Sequence, residues 1–209
     1  FGVADAFPEC LPRRRAEHRM TASVKLTADI IEAFAGTFIS PRYDVPRPTP
    51  PFHREAWALY ASDEPAVEVV APRDHAKSTA LTTDYILAEV LFRSSDYVIL
   101  IGSTEDGAAE QLGNISDELS SNEDLIREFH IKGFDIASRT DVIVRCGGGK
   151  GERDHLFRIL CRGAEQRIRG RLWKGKRPNL LVCDDMEDDE QVENKERRAK
   201  FRRWFFRAA

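Results

Sequence analysis

The stretch Val69-Val70-Ala71-Pro72-Arg73-Asp74-His75-Ala76-Lys77-Ser78-Thr79 constrains this chain more than any other. An apolar run enters it, a helical pattern leaves it, and a lysine followed by two hydroxyl residues stands at the junction. The spacing from Ala71 to Ser78 is that of a phosphate-binding loop, G-x-x-x-x-G-K-[ST], with Ala71 and Ala76 where glycines usually sit. Such a loop works because successive backbone N–H groups at a helix N-terminus wrap an anion and the aligned peptide dipoles favour it. Lys77 adds a point charge against the β- and γ-phosphates of a nucleotide, and the Ser78 hydroxyl helps hold Mg²⁺. Alanine can stand in for glycine there if its position is reached at negative φ.

A second stretch, Arg177-Pro178-Asn179-Leu180-Leu181-Val182-Cys183-Asp184-Asp185-Met186-Glu187, reads as an apolar strand that delivers carboxylates at its end. A phosphate cradle and a magnesium carboxylate, here Asp184, are two halves of one site. Taken singly, Ala-Lys-Ser could merely start an amphipathic helix and Asp184-Asp185 could merely end a surface strand. Their occurrence together, in order and each behind an apolar run, favours the site, with ATP and Mg²⁺ as its cofactors.

At 209 residues the chain is long enough for one α/β domain with a small appendage. No apolar run approaches the roughly 18 residues that a membrane helix needs, so no membrane association is expected. Cys10, Cys146, Cys161 and Cys183 are scattered without a C-x-x-C pair, which fits a reducing cytoplasm. The net charge of −3 hides a segregation of sign. Arg167 to Arg177 is basic, Asp184 to Glu190 acidic, and Lys195 to Arg207 basic again, and local patches set the field a partner meets.

Helical spacing of Val24, Leu26, Ile30, Ile31, Phe34 and Phe38 predicts a helix over about residues 21 to 40. Pro41, Pro46, Pro48, Pro50 and Pro51 follow as a linker. Residues 1–45 therefore read as a helical lid or subdomain, and residues 46–209 as the nucleotide-binding domain. Within the latter, Phe52 to Ala61 reads as helix, Ala66 to Val70 as a buried strand, Ser78 to Phe92 as helix and Tyr97 to Ile101 as strand. Helices over Thr104 to Leu119 and around Asp124 to Phe129 come next. Such alternation predicts an α/β fold with a mainly parallel sheet covered by helices on both faces. Asp141 to Cys146 and Leu156 to Cys161 read instead as a hairpin around Gly147 to Gly151.

This ordered set resembles the ATPase domain of phage terminase large subunits, the motors that pack DNA into procapsids. The carriers are Ala71 to Thr79, Tyr97 to Gly102 with Ser103-Thr104 and a helix, Gln166 to Gly170 before Arg177-Pro178-Asn179-Leu180, and Asp184-Asp185-Met186-Glu187. The resemblance spans roughly Phe52 to Arg207. It implies a RecA-like sheet, ATP hydrolysis coupled to movement of double-stranded DNA, and a nucleotide loop running from Ala71 and Pro72 through Arg73, Asp74, His75 and Ala76 to Lys77, Ser78 and Thr79. Arg73 matches the family's γ-phosphate-sensing arginine, Arg139 lies roughly where its trans-acting arginine is expected, and Phe52-His53-Arg54 falls near its adenine contact. Many relatives place Glu directly after the metal-binding Asp; here Asp185 occupies that register and Glu187 is the rival for polarising the attacking water. A homo-oligomeric ring, the portal protein, the small terminase subunit and a host bacterial cytoplasm complete what the resemblance implies. The family's further coupling strand and its nuclease domain are not visible before Ala209, so a fragment without cutting activity is expected. A P-loop helicase or a nucleotide-dependent assembly module that does not hydrolyse are the alternatives.

Overall fold

A computed structural model describes residues 24–72, 75–148, 153–186 and 194–208. Thr27, in extended conformation, leads into helix α1 (Ala28–Phe34), and its hydroxyl accepts from the Ile30 N–H at 3.3 Å. The helix continues as a π-helical segment, Ala35–Ile39. Its inner face carries Ile31, Phe34 and Ile39, all nearly inaccessible. Phe34 and Phe38 meet Phe92 and Phe129 with ring centroids 5.4 to 6.0 Å apart, so this segment shares the main core.

Helix α2 (Pro51–Tyr60) starts on a proline, whose fixed φ suits the first turn. After it, residues 64–72 adopt no regular secondary structure and join no strand, and a π-helical segment, Ser78–Asp84, leads into α3 (Tyr85–Leu91). Strand β1 (Tyr97–Gly102) is followed by α4 (Glu105–Ser121) and α5 (Glu123–Glu128). Strands β2 (Ile131–Ala137), β3 (Asp141–Cys146), β4 (His155–Gly163) and β5 (Leu180–Cys183) precede the terminal helix α6 (Lys195–Ala208).

The five strands form one sheet in the order β2-β3-β4-β1-β5. β1 pairs in parallel with β4 and with β5, whereas β2–β3 and β3–β4 are antiparallel. The sheet is therefore mixed, which overturns the expectation of a mainly parallel, RecA-like sheet. Connection length is the physical reason. A parallel neighbour needs a crossover of a dozen or more residues, but only residues 138–140 separate β2 from β3, and only residues 147–154 separate β3 from β4. Arg158 on β4 grips Asp141 on β3 through two hydrogen bonds, 2.8 and 2.6 Å, and lies 5.2 Å from the Tyr97 ring centre. That clamp fixes the antiparallel register at its junction with the parallel half.

The strand expected at Ala66 to Val70 is also absent. Val67 and Val69 are half-buried while Val70 is 87% exposed, so the segment keeps a strand's alternation without a ladder partner. Pro65 and Pro72 bracket it, and neither has an N–H to donate.

β1 is buried throughout because both faces of the sheet are covered. Val98 and Leu100 point into the larger core with α1 to α5. Tyr97, Ile99 and Ile101 point the other way, against Ile168, Trp173 and Trp204. A central strand buried on both faces reads as a continuous apolar run, as YVILIG does.

Candidate functional site

The loop before the first long core helix is built from backbone turned against its preference. Ala76 sits at φ +50°, in the left-handed region where a Cβ is disfavoured by about 1 kcal/mol or more. Alanine was expected to work here only at negative φ, and the chain instead accepts strain. Such strain persists only where surrounding structure over-determines it. The surroundings are α2: His53 Nε2–H donates to the His75 carbonyl at 2.8 Å, and the Phe52 ring lies 5.6 Å from that of His75. Trp57 Nε1–H donates to the Ala80 carbonyl at 3.0 Å, from a side chain 1% exposed. Trp57 was not singled out in the sequence, where it reads as an ordinary core aromatic.

Beyond Ala76 the chain turns into the helix at Lys77. The ammonium of Lys77 bends back over the loop and donates to the carbonyls of Ala71 at 2.6 Å and Pro72 at 2.9 Å. The Ser78–Asp84 segment has no side-chain cap and no acid in its first turn. Ser78 and Thr79 are half-buried at its start. Arg73 and Asp74 lie outside the described residues.

Asp184 sits where β5 ends, its N–H bonded to the Ile101 carbonyl at 2.8 Å. Parallel pairing aligns Gly102 with Gly163 and Ile101 with Cys183, so β1, β4 and β5 end at one edge. The Asp184 carboxylate makes no hydrogen bond or ion pair among the described residues, and it contributes, after burial, to raising the Tyr60 phenol above its ordinary pKa. Tyr60 closes α2 and packs on Tyr85, whose hydroxyl donates to the Tyr60 carbonyl at 3.4 Å. The loop, held by His53 and Trp57, and Asp184, felt by Tyr60, thus face the same helix. No hydrogen bond or ion pair joins Lys77 to Asp184 among the described residues.

The remaining expected residues separate. Asp185 is exposed at φ +46°, a conformation aspartate tolerates, and Glu187 lies outside the described residues. Arg54 points away from the loop and pairs with Asp29 and, at 2.5 Å, with Glu32 on α1. His53 supports the loop from behind through its ring nitrogen. Arg139, in the β2–β3 turn, pairs with Asp106 at 2.8 Å and is well exposed.

One buried group was missed. Asp84 ends the π-helical segment at 5% exposure with its Oδ1 unpartnered, and burial, aided by nearby Glu118, pushes its pKa up to about 7. Nothing in the local pattern Thr82-Thr83-Asp84 marks it, because a 3.6-residue periodicity does not anticipate the wider π turn.

As donors, the Ser78 hydroxyl and Asp184 carboxylate are hard oxygens of the kind Mg²⁺ takes, and neither is committed to another described group. Among the described residues no cluster of three or more His, Cys, Asp or Glu side chains forms a metal centre, and no helix is long and apolar enough to cross a membrane. Comparison with known protein families, with curated proteins and with solved structures finds no match.

Proposed function

We propose that the chain is a Mg²⁺-dependent ATPase acting on double-stranded DNA, in the manner of the terminase motors that its motifs resemble. The observation that carries the reading is local: an alanine held at φ +50° directly before Lys77, at the start of a helix with no capping side chain among the described residues. The proposal therefore rests on this constellation and not on the sheet order.

In this reading the N–H groups after Ala76 receive the phosphates. Lys77 releases the Ala71 and Pro72 carbonyls and turns its ammonium onto the β- and γ-phosphates. Ser78 and Asp184 would hold Mg²⁺, which neutralises charge developing on the transferred phosphoryl group. Asp185, or Glu187 beside it in sequence, orients the attacking water. Arg73 stabilises the γ-phosphate charge, and Arg139, exposed on its turn, serves a neighbouring subunit in a ring. Portal protein and small terminase subunit are the partners that this assignment carries with it, and a host bacterial cytoplasm is its setting.

A second reading, a nucleotide-dependent assembly module that does not hydrolyse, is favoured by one fact: Lys77 is bonded to its own loop. Steady-state ATP hydrolysis, with and without long duplex DNA, separates the two. The motor reading expects Mg²⁺-dependent turnover stimulated by DNA, falling about a hundredfold or more in Lys77→Ala. Turnover that is absent, or unchanged by Lys77→Ala, defeats it.

A further inference from the structure

Helix α6 holds seven basic residues against one acid, Glu196, in KERRAKFRRWFFRA. Asn194 starts it by accepting the N–H groups of Glu196 and Arg197 at 2.9 and 3.2 Å. Part of its apolar side is already used, while Phe206 is 73% exposed. Phe201 is 6% exposed, and Trp204 donates its indole N–H to the Gln166 carbonyl at 2.9 Å while packing with Ile168. Lys200 is tied to Glu165. What remains outward is a shallow open groove lined by Lys195, Arg198, Ala199, Arg202 and Arg203. None of those four cations has an ion-pair partner among the described residues, and all are exposed.

We infer that this outer face of α6 docks the phosphate backbone of duplex DNA, as a site separate from the nucleotide loop. The choice of DNA as polyanion rests on the function proposed above; the choice of surface does not. Four cations spread over residues 195–203 span roughly 12 Å at the helical rise of about 1.5 Å per residue. A duplex presents one negative charge per about 1.7 Å of axis, so such a ridge meets several phosphates at once. Three of the four are arginines, whose planar fork matches phosphate oxygens. A membrane surface fits less well, because an interfacial helix needs a broad free apolar face and here Phe201 and Trp204 face the protein, which leaves Phe206 as the exposed aromatic. A protein partner fits poorly as well, since the groove offers no aromatic anchor to bury. Arg167 and Arg169, exposed on the segment next to Gln166, extend the same positive field beside the helix.

The test is fluorescence anisotropy of a labelled duplex titrated with the chain over a series of salt concentrations. The comparison is a variant carrying Lys195→Gln, Arg198→Gln, Arg202→Gln and Arg203→Gln. The wild-type chain should bind unrelated duplex sequences alike. The variant should lose more than tenfold in affinity at low salt, and its slope of log K against log salt should become shallower by about 3.6 if all four cations meet phosphates. Far-ultraviolet circular dichroism and ATP binding should match wild type, since α6 packs through its other face. Unchanged affinity and slope in a folded variant overturn the assignment, as does binding to anionic phospholipid vesicles but not to DNA. Loss of ATP binding in Lys77→Ala with DNA binding intact leaves this surface standing. Duplex binding lost by the chain whose ATP turnover is normal removes this surface alone.

Discussion

Two of the helix starts in this molecule, those of α4 and of the Ser78–Asp84 segment, treat their exposed amides in opposite ways. At α4, Thr104 accepts the Gly107 N–H at 3.1 Å, and Glu105 and Asp106 place acids in the first turn. Arg139 and Arg162 pair with those acids, and β4 comes so close that a Cβ on Gly163 would lie 2.7 Å from the Glu105 nitrogen. That helix start is complete within the chain and repels a further anion. At Ser78 no capping side chain and no first-turn acid stand among the described residues, Lys77 leads in, and Ala76 before that lysine is strained. The contrast locates the anion site: the unfinished helix start has amides and a cation to offer.

The comparison can be broken at several points. The largest effect on stability is expected from Asp84, at the far end of the same π-helical segment. Its carboxyl holds a proton up to about pH 7 in the folded chain, whereas an unfolded aspartate releases it near 3.9. The folded state thus carries the extra proton between those values, and this group's contribution to stability falls as pH rises through them and is flat above. Urea denaturation from pH 4 to 8 should show a decline of a few kcal/mol that Asp84→Asn removes. An equal slope in the variant would show that Asp84 is not the titrating group.

Gly163→Ala comes next. Its new methyl meets backbone, which cannot swing aside, so a loss of about 1–3 kcal/mol is expected in the same measurement. A neutral result would mean that the α4 start is looser than its packing implies. Thr104→Ala should cost about 1 kcal/mol by removing a cap, while Ser78→Ala, with no capping bond to lose, should leave stability nearly unchanged and weaken the Mg²⁺ dependence of nucleotide binding. Equal stability costs at the two positions would erase the distinction between the two starts. A small gain is expected from Ala76→Gly, which relieves a left-handed alanine but loosens the unfolded chain, for a net of about 0.5 kcal/mol.

Much of this architecture was legible because apolar runs and caps are local signals. β1, β3 and β4, the α4 helix behind Thr104 and the strand ending at Asp184 all follow from short windows of sequence. Strand partners do not. Ala66 to Val70 has a strand's composition, yet pairing depends on what lies beside it, and the sheet ends at β5. β2 escaped for the opposite reason. Lys132, Gly133 and Asp135 interrupt its apolar pattern, and its pairing with β3 shifts register near the glycine and again near Asp135. At the site, the residue types of the loop were readable from spacing. The left-handed Ala76, the diversion of Arg54 to α1 and the support from Trp57 were not, because each depends on a contact distant in sequence.

The central claim, that the backbone after Ala76 and the ammonium of Lys77 receive a triphosphate, is tested most directly by isothermal titration calorimetry with ATP and Mg²⁺. Saturable one-site binding that Lys77→Ala abolishes, in a variant with an unchanged urea midpoint, is the predicted result. No heat of binding to the folded wild-type chain, or undiminished affinity in Lys77→Ala, contradicts it.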